Sequence, residues 1–137
     1  MSYAGDITPE EAWKLLSDNP EAVLVDCRTD AEWRFVGVPD LTSLERDVVY
    51  VEWNTTNGKH NDNFVDDLVG AGVAPGVGPV VFLCRSGNRS IGAAEAATES
   101  GIAPSYNVLD GFEGNLDENG HRGKTGWKAV GLPWRQS

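Results

Sequence analysis

The chain has 137 residues, of which 40% are hydrophobic, and this composition predicts one globular domain rather than a disordered segment. Its 21 acidic residues outnumber its 11 basic residues, and the resulting net charge of −10 argues against general binding to nucleic acids or anionic membranes. Two cysteines, Cys27 and Cys84, are too few for a disulfide scaffold and lack the spacing of a metal site, so we expect reduced thiols in a cytoplasmic protein.

The N-terminal residues have no basic segment followed by an apolar run, which argues against a secretory signal, and no apolar run is long enough to predict a membrane span. Helices are predicted at two Thr-x-x-Glu capping patterns, Thr8–Glu11 and Thr29–Glu32, and the first of them is expected to end near Ser17. Further along, residues 64–69 place four apolar side chains on one helical face. The alanine-rich residues 89–100 form the strongest predicted helix.

Strands are predicted by short apolar runs at residues 22–27, 48–53, 79–84 and 106–111. Because these runs alternate with helices and are apolar on both faces, they predict an α/β fold with a mostly parallel sheet covered on both sides. In such sheets, ligands bind beyond the carboxyl ends of the strands. Cys84 lies at one of these ends.

The loop that follows Cys84 leads directly into the alanine-rich helix. Such a loop directs successive backbone N–H groups at one point, and the helix dipole adds partial positive charge there, so a cysteine at its mouth is stabilised as a thiolate. Gly87 permits backbone angles that other residues avoid. Arg85 and Arg89 can donate hydrogen bonds to an oxyanion. These residues predict a nucleophilic cysteine in an anion-binding loop.

The sequence CRSGNRS, with an apolar strand before it and a helix after it, resembles the active-site loop of rhodanese-family sulfurtransferases. Four further segments resemble family segments in the family's order: ITPEEAWKLL, LVDCRTDAEW, NVLDGFEG and WKAVGLP. The resemblance therefore extends over residues 7–134. It implies that residues 1–137 form a single rhodanese-like domain.

The resemblance also implies an activity. Cys84 would be the nucleophile that takes a sulfane sulfur from thiosulfate or a similar small anionic donor, and it would pass the sulfur to a thiol or a protein thiol. Asp26 and Arg28 would support the site structurally, and Glu32 would pair with Arg28. No metal or organic cofactor is implied. The substrate-binding residues implied in this way are Arg85, Ser86, Gly87, Asn88 and Arg89.

Two other functions stay open. One is a non-catalytic binding or regulatory module of the same fold, which we would expect to have lost the cysteine that this chain keeps. The other is a small cysteine-dependent phosphatase or arsenate reductase. Such phosphatases have a C-x5-R loop preceded by His, whereas this chain has C-x4-R from Cys84 to Arg89, preceded by Leu83. Both differences favour sulfur transfer.

Three further features of the sequence concern the surroundings of this site. Cys27 ends a core strand, and a packed thiol is favoured over a resolving cysteine that would form a disulfide with Cys84. Residues 115–126 are expected to form a solvated loop that could reach over the active site, because the spacing of their acidic residues and His121 is too irregular for a metal site. Val38 replaces the histidine that the family usually has, so any role of that histidine is absent.

Overall fold

The computed structural model describes residues 3–136, which fold around a five-stranded sheet. The strands are, in chain order, β1 (Gly5–Ile7), β2 (Val23–Asp26), β3 (Val38–Pro39), β4 (Val49–Tyr50), β5 (Val80–Leu83), β6 (Ser105–Val108) and β7 (Trp134–Arg135). The α-helices are α1 (Pro9–Asp18), α2 (Asp30–Phe35), α3 (Phe64–Gly70) and α4 (Arg89–Glu99). Within these residues, no helix has the length and apolarity that crossing a bilayer would need.

All five strands of the main sheet are parallel, in the order β1-β6-β5-β2-β4. The central strand β5 pairs with β2 so that Leu83 lies opposite Asp26. The carboxyl ends of both strands therefore meet at one edge of the sheet. A separate antiparallel pair, β3 with β7, joins the segment after α2 to the C-terminal segment.

The strand β5 shows why helices cover both faces of the sheet. Successive side chains of a strand point to opposite faces. Val80 and Phe82 pack in a core with residues of α3 and α4, whereas Val81 and Leu83 pack in a second core with residues of α1 and with Trp127. The predicted fold class, a mostly parallel sheet with helices on both faces, is confirmed.

Both capping patterns begin helices as predicted. In α1, the Glu11 N–H donates to Thr8 Oγ1 (3.1 Å) and the Thr8 N–H donates to Glu11 Oε1 (2.8 Å). Thr29 and Glu32 form the same reciprocal pair at the start of α2. These bonds satisfy N–H groups that have no partner inside the helix.

Several element boundaries differ from the sequence-based prediction. The strand expected over residues 48–53 contains only Val49 and Tyr50, because its partner β2 ends at Asp26, which lies opposite Tyr50. The strand expected over 106–111 ends at Val108. The chain turns there because Asp110 and Gly111 have positive φ angles. Val69, expected on the apolar face of α3, is 46% exposed. The sequence analysis predicts none of the short strands β1, β3 and β7.

A buried ion pair lies at the end of β2. Arg28 Nη2 donates to Asp26 Oδ2 (2.6 Å) and Arg28 Nε donates to Asp26 Oδ1 (2.9 Å), and neither side chain is exposed. Arg28 Nη2 also donates to the Gly37 carbonyl (2.8 Å), and the guanidinium lies 4.2 Å from the centroid of the Phe112 ring. The predicted pairing of Arg28 with Glu32 is wrong. Residues two apart in an extended chain share a face, so Asp26 is the partner within reach.

Because removing one partner leaves a buried charge, we expect Asp26→Leu to lower the free energy of unfolding by about 3–5 kcal/mol. The double variant Asp26→Leu/Arg28→Met, which removes both charges, is expected to be more stable than the single one. Urea unfolding measures both. Asp18→Leu serves as the control, because it removes the carboxylate of the exposed Lys14–Asp18 pair, which contributes little. A double variant no more stable than the single one would contradict this account.

Candidate active site

Cys84 follows β5 directly, and the loop after it enters α4 at Arg89. Its sulfur accepts hydrogen bonds from two backbone N–H groups, those of Gly87 (3.2 Å) and Ser90 (3.3 Å). The Ser90 hydroxyl oxygen lies 3.1 Å from the same sulfur. Cys84 is only 1% exposed. The N-terminus of an 11-residue helix and two amides therefore converge on a nearly covered sulfur atom.

The loop keeps its shape because a second segment of backbone supports it. The Phe112 N–H donates to the Cys84 carbonyl (2.8 Å), and the Glu113 N–H donates to the Arg85 carbonyl (2.9 Å). This contact is so close that a Cβ at Gly111 would collide with the backbone of Cys84 and Arg85. At Gly87, φ is +96°, and a Cβ there would lie 3.0 Å from the Asp110 nitrogen.

The two arginines of the loop have different surroundings. Arg89 forms a bidentate ion pair with Glu32 of α2, with distances of 2.9 Å from Nη1 to Oε1 and 3.0 Å from Nη2 to Oε2. Arg85 is exposed, and in the part of the chain that the structure describes its side chain forms no hydrogen bond or ion pair. Only Arg85 is therefore available to a ligand without first breaking a contact.

The ion pair shifts the ionisation of both partners. Burial alone would raise the pKa of Glu32, but the hydrogen bonds and charge of Arg89 outweigh this effect and lower the pKa below its ordinary value. Burial would likewise lower the pKa of Arg89, and the bonds to Glu32 raise it instead. Glu32 also accepts the capping bond from the Thr29 N–H (3.1 Å), so one carboxylate connects the start of α2 to the start of α4.

The predicted substrate-binding residues are brought together by the loop. Among their amides, that of Gly87 contacts the sulfur, and Ser86 and Asn88 form the outer part of the turn, where Asn88 Nδ2 lies 3.5 Å from Ser86 Oγ. Sequence analysis missed Ser90, which provides a second amide and a hydroxyl, and Asn107 of β6, whose Oδ1 accepts a hydrogen bond from the Ser90 hydroxyl. The sequence carries no distinctive signal for Asn107, because β6 also contains the polar Ser105.

Cys27 directly follows β2, the strand next to β5, and is completely buried. Its thiol donates to the Leu83 carbonyl (3.3 Å). Burial raises the pKa of Cys27 well above its ordinary value, and the nearby charges of Cys84 and Asp26 add to that effect. A protonated, hydrogen-bonded thiol is a poor nucleophile, which agrees with the packed role predicted for it.

The loop at residues 115–126 is held by its own neighbours. Asn115 Nδ2 donates to Asp110 Oδ1 (2.7 Å), and Arg122 Nη1 donates to the Gly114 carbonyl (2.7 Å). Among residues 3–136, none of its hydrogen bonds reaches Cys84 or the loop up to Ser90. Residues 3–136 also contain no cluster of His, Cys, Asp or Glu that could hold a metal ion.

The chain is similar to known proteins over nearly its whole length. The family model described as STR4 middle domain matches residues 4–137. The crystal structure of Rv0390 from M. tuberculosis is 72% identical, with 99% of this chain and 100% of that chain covered and a TM-score of 0.93. A rhodanese-like domain protein from Staphylococcus aureus has the same fold at 20% identity, with 97% and 98% covered and a TM-score of 0.61. The polysulfide-sulfur transferase homodimer from Wolinella succinogenes is 26% identical, with 96% of this chain and 78% of that chain covered and a TM-score of 0.63.

We expect Glu32→Gln to lower the free energy of unfolding at pH 7 by about 1.5–3 kcal/mol, because the charge-assisted bonds to Arg89 are lost. The folded-state pKa of Glu32 lies below its unfolded value of about 4.3, so this stabilisation is complete above that pH and disappears as the pH falls through the folded-state pKa. Urea unfolding at pH 7 and at acidic pH should therefore show a difference between variant and wild type at pH 7 that shrinks in acid.

Glu118→Gln, at an exposed loop position, is the matched control and should change stability little at either pH. If Glu32→Gln lowered the free energy of unfolding equally at both pH values, the ionised carboxylate would not be what stabilises the fold.

Proposed function

The chain belongs to the STR4 middle domain family of rhodanese-like domains, and on this premise we propose that it is a sulfurtransferase that carries sulfane sulfur as a persulfide on Cys84. The observation that carries the proposal is the convergence of the Gly87 and Ser90 amides on the Cys84 sulfur at the start of α4. The similarity to a polysulfide-sulfur transferase supports the same reaction class.

In the first half-reaction, the Cys84 thiolate attacks the outer sulfur of thiosulfate. The new bond joins Cys84 Sγ to that sulfur, the bond from that sulfur to the sulfonate breaks, and sulfite leaves with the electron pair. The negative charge moves from Sγ to the outer sulfur of the persulfide. The amides of the loop and the positive end of the helix dipole stabilise an anion at this position.

In the second half-reaction, a thiophilic acceptor attacks the outer sulfur and Cys84 leaves as a thiolate. Cyanide gives thiocyanate in this step, and a small thiol or a protein thiol gives a new persulfide. Both cysteines are free thiols, which suits a reducing cytoplasmic compartment where thiol acceptors are abundant. The proposal requires no metal and no organic cofactor.

Two properties of the loop favour sulfur over phosphate. The C-x4-R spacing makes a smaller ring than the phosphatase loop, and the 1% exposure of Cys84 suits a single sulfur atom better than a phosphoryl group. In addition, Glu32 neutralises Arg89, the arginine that a bound phosphate dianion would need. Arg85 remains as the cation that can attract the sulfonate end of the donor.

We expect incubation with thiosulfate to add the mass of one sulfur atom to the protein and cyanide to remove it, because Cys84 is the group placed for attack. Intact mass spectrometry measures both steps. Cys84→Ser should gain no sulfur, and Cys27→Ser is the matched control that should gain it as the wild type does.

Each outcome of this experiment separates the candidate functions. Sulfur uptake by Cys84→Ser would remove Cys84 as the nucleophile. A wild-type protein that takes no sulfur from thiosulfate or polysulfide would instead be a binding module. Hydrolysis of aryl phosphates faster than sulfur transfer would favour the phosphatase alternative.

Arg85→Ala is expected to raise the KM for thiosulfate about five-fold, as is typical of losing a charged contact of about 1 kcal/mol at an exposed position. Arg85→Lys, which keeps the charge, should have a smaller effect. Lys59→Ala is the control, because it removes one positive charge from the exposed loop at residues 54–62. Steady-state kinetics with cyanide as acceptor measure KM. Equal increases of KM in Arg85→Ala and Lys59→Ala would mean that Arg85 acts only through the net charge of the protein and does not contact the donor.

A further inference from the structure

A chain of hydrogen bonds connects the edge strand β1 to the Cys84 sulfur. Asn107 Nδ2 donates to Asp6 Oδ1 (3.0 Å) and to the Gly87 carbonyl (3.2 Å), and the Ser90 hydroxyl donates to Asn107 Oδ1. The Ser90 oxygen lies 3.1 Å from the Cys84 sulfur. Ser90 and Asn107 are fully buried, so water does not replace these bonds.

The partners of Asn107 fix the direction of its amide. A carboxylate and a backbone carbonyl only accept hydrogen bonds, so the amide nitrogen must face Asp6 and Gly87. The amide oxygen therefore faces Ser90. A hydroxyl has one proton, and Asn107 holds that proton, so the Ser90 oxygen presents lone pairs to the Cys84 sulfur.

We propose that Asn107, anchored by Asp6, is a positioning residue that turns the Ser90 hydroxyl proton away from Cys84. The sulfur is then held by the Gly87 and Ser90 amides, and the hydroxyl accepts the S–H bond while the thiol is protonated. To donate to a Cys84 thiolate, the hydroxyl would have to leave Asn107 and strand a buried acceptor. This inference rests on the proposed function in that Cys84 is the nucleophile of sulfur transfer.

The arrangement has a consequence for reactivity. A thiolate loses nucleophilicity as it is stabilised further. By keeping one hydrogen bond away from Sγ, Asn107 preserves the nucleophilicity of Cys84. After sulfur loading, Sγ is the uncharged bridging atom and needs no donor, because the negative charge then lies on the outer sulfur.

The other charged and titratable groups around Cys84 remain the same in the variants proposed below. The Cys27 thiol directly follows the neighbouring strand β2, and the Arg89 guanidinium of α4 is paired with Glu32 of α2. Arg85 belongs to the loop itself, and Asp110 follows β6 beside Gly87. Asp6 lies beyond Asn107.

The test is the pH profile of Cys84 alkylation by iodoacetamide, followed by peptide mass spectrometry. We expect Ser90→Ala to lower the midpoint of the profile slightly, by no more than about 0.3 pH units, because the protonated thiol loses an acceptor and the thiolate loses no donor. Asn107→Leu frees the hydroxyl to donate to the thiolate and should lower the midpoint by about one pH unit. In Ser90→Ala/Asn107→Leu the midpoint should return to that of Ser90→Ala.

Asn61→Leu is the matched control and should leave the profile unchanged. Asn61 is also an amide that bridges a backbone carbonyl and a carboxylate, those of Glu52 and Asp67. Within residues 3–136, it forms no hydrogen bond with the loop from Cys84 to Ser90. A midpoint raised above the wild-type value in Ser90→Ala would overturn the proposal, because the hydroxyl would then be a donor to the thiolate. Equal shifts from Asn107→Leu with and without the Ser90 hydroxyl would also overturn it.

The experiment remains decisive in two unfavourable cases. If Asn107→Leu fails to fold, the Ser90→Ala profile alone decides whether the hydroxyl donates to the thiolate. Alkylation needs no sulfur donor. A protein that never takes up sulfur would therefore contradict the proposed function, but its alkylation profile would still test the role of Asn107.

Discussion

The backbone contact between the end of β5 and the segment after β6 is the constraint on which the site depends. Two hydrogen bonds, from Phe112 and Glu113 to the carbonyls of Cys84 and Arg85, hold the loop at its beginning. Because these bonds involve only main-chain atoms, they leave every loop side chain and the amides of Gly87 and Ser90 free for other partners. The Phe112 ring also covers the buried Arg28, so the same segment supports the end of β2.

Charge in this acidic protein is arranged by pairing. Arg28 is neutralised by Asp26 inside the fold, and Arg89 is neutralised by Glu32 beside the loop. Within the loop this leaves Arg85 as the unpaired cation next to the amides. In the proposed reaction, an anionic sulfur donor would be attracted by this one guanidinium and held by the backbone N–H dipoles of the loop.

Sequence patterns identified the parts of the fold that are set by local physics. Apolar runs predicted β2 and β5, and the two capping patterns predicted the starts of α1 and α2. Cys84 was expected at the carboxyl end of β5, and it lies there. Long-range choices were not readable from the sequence: Glu32 binds Arg89, 57 positions away, rather than Arg28. The short strand β1 has no apolar pattern, so its contact with Asn107 could not be foreseen.

The tight packing at Gly111 has an evolutionary consequence. A side chain there would meet main-chain atoms of Cys84 and Arg85, which no change elsewhere in the core can move aside cheaply. Cys84, by contrast, is a small buried residue whose replacement by alanine or serine the surrounding core can accommodate. We therefore expect divergence to be asymmetric. Descendants of this fold can lose the thiol and keep the fold, but they must retain the glycine.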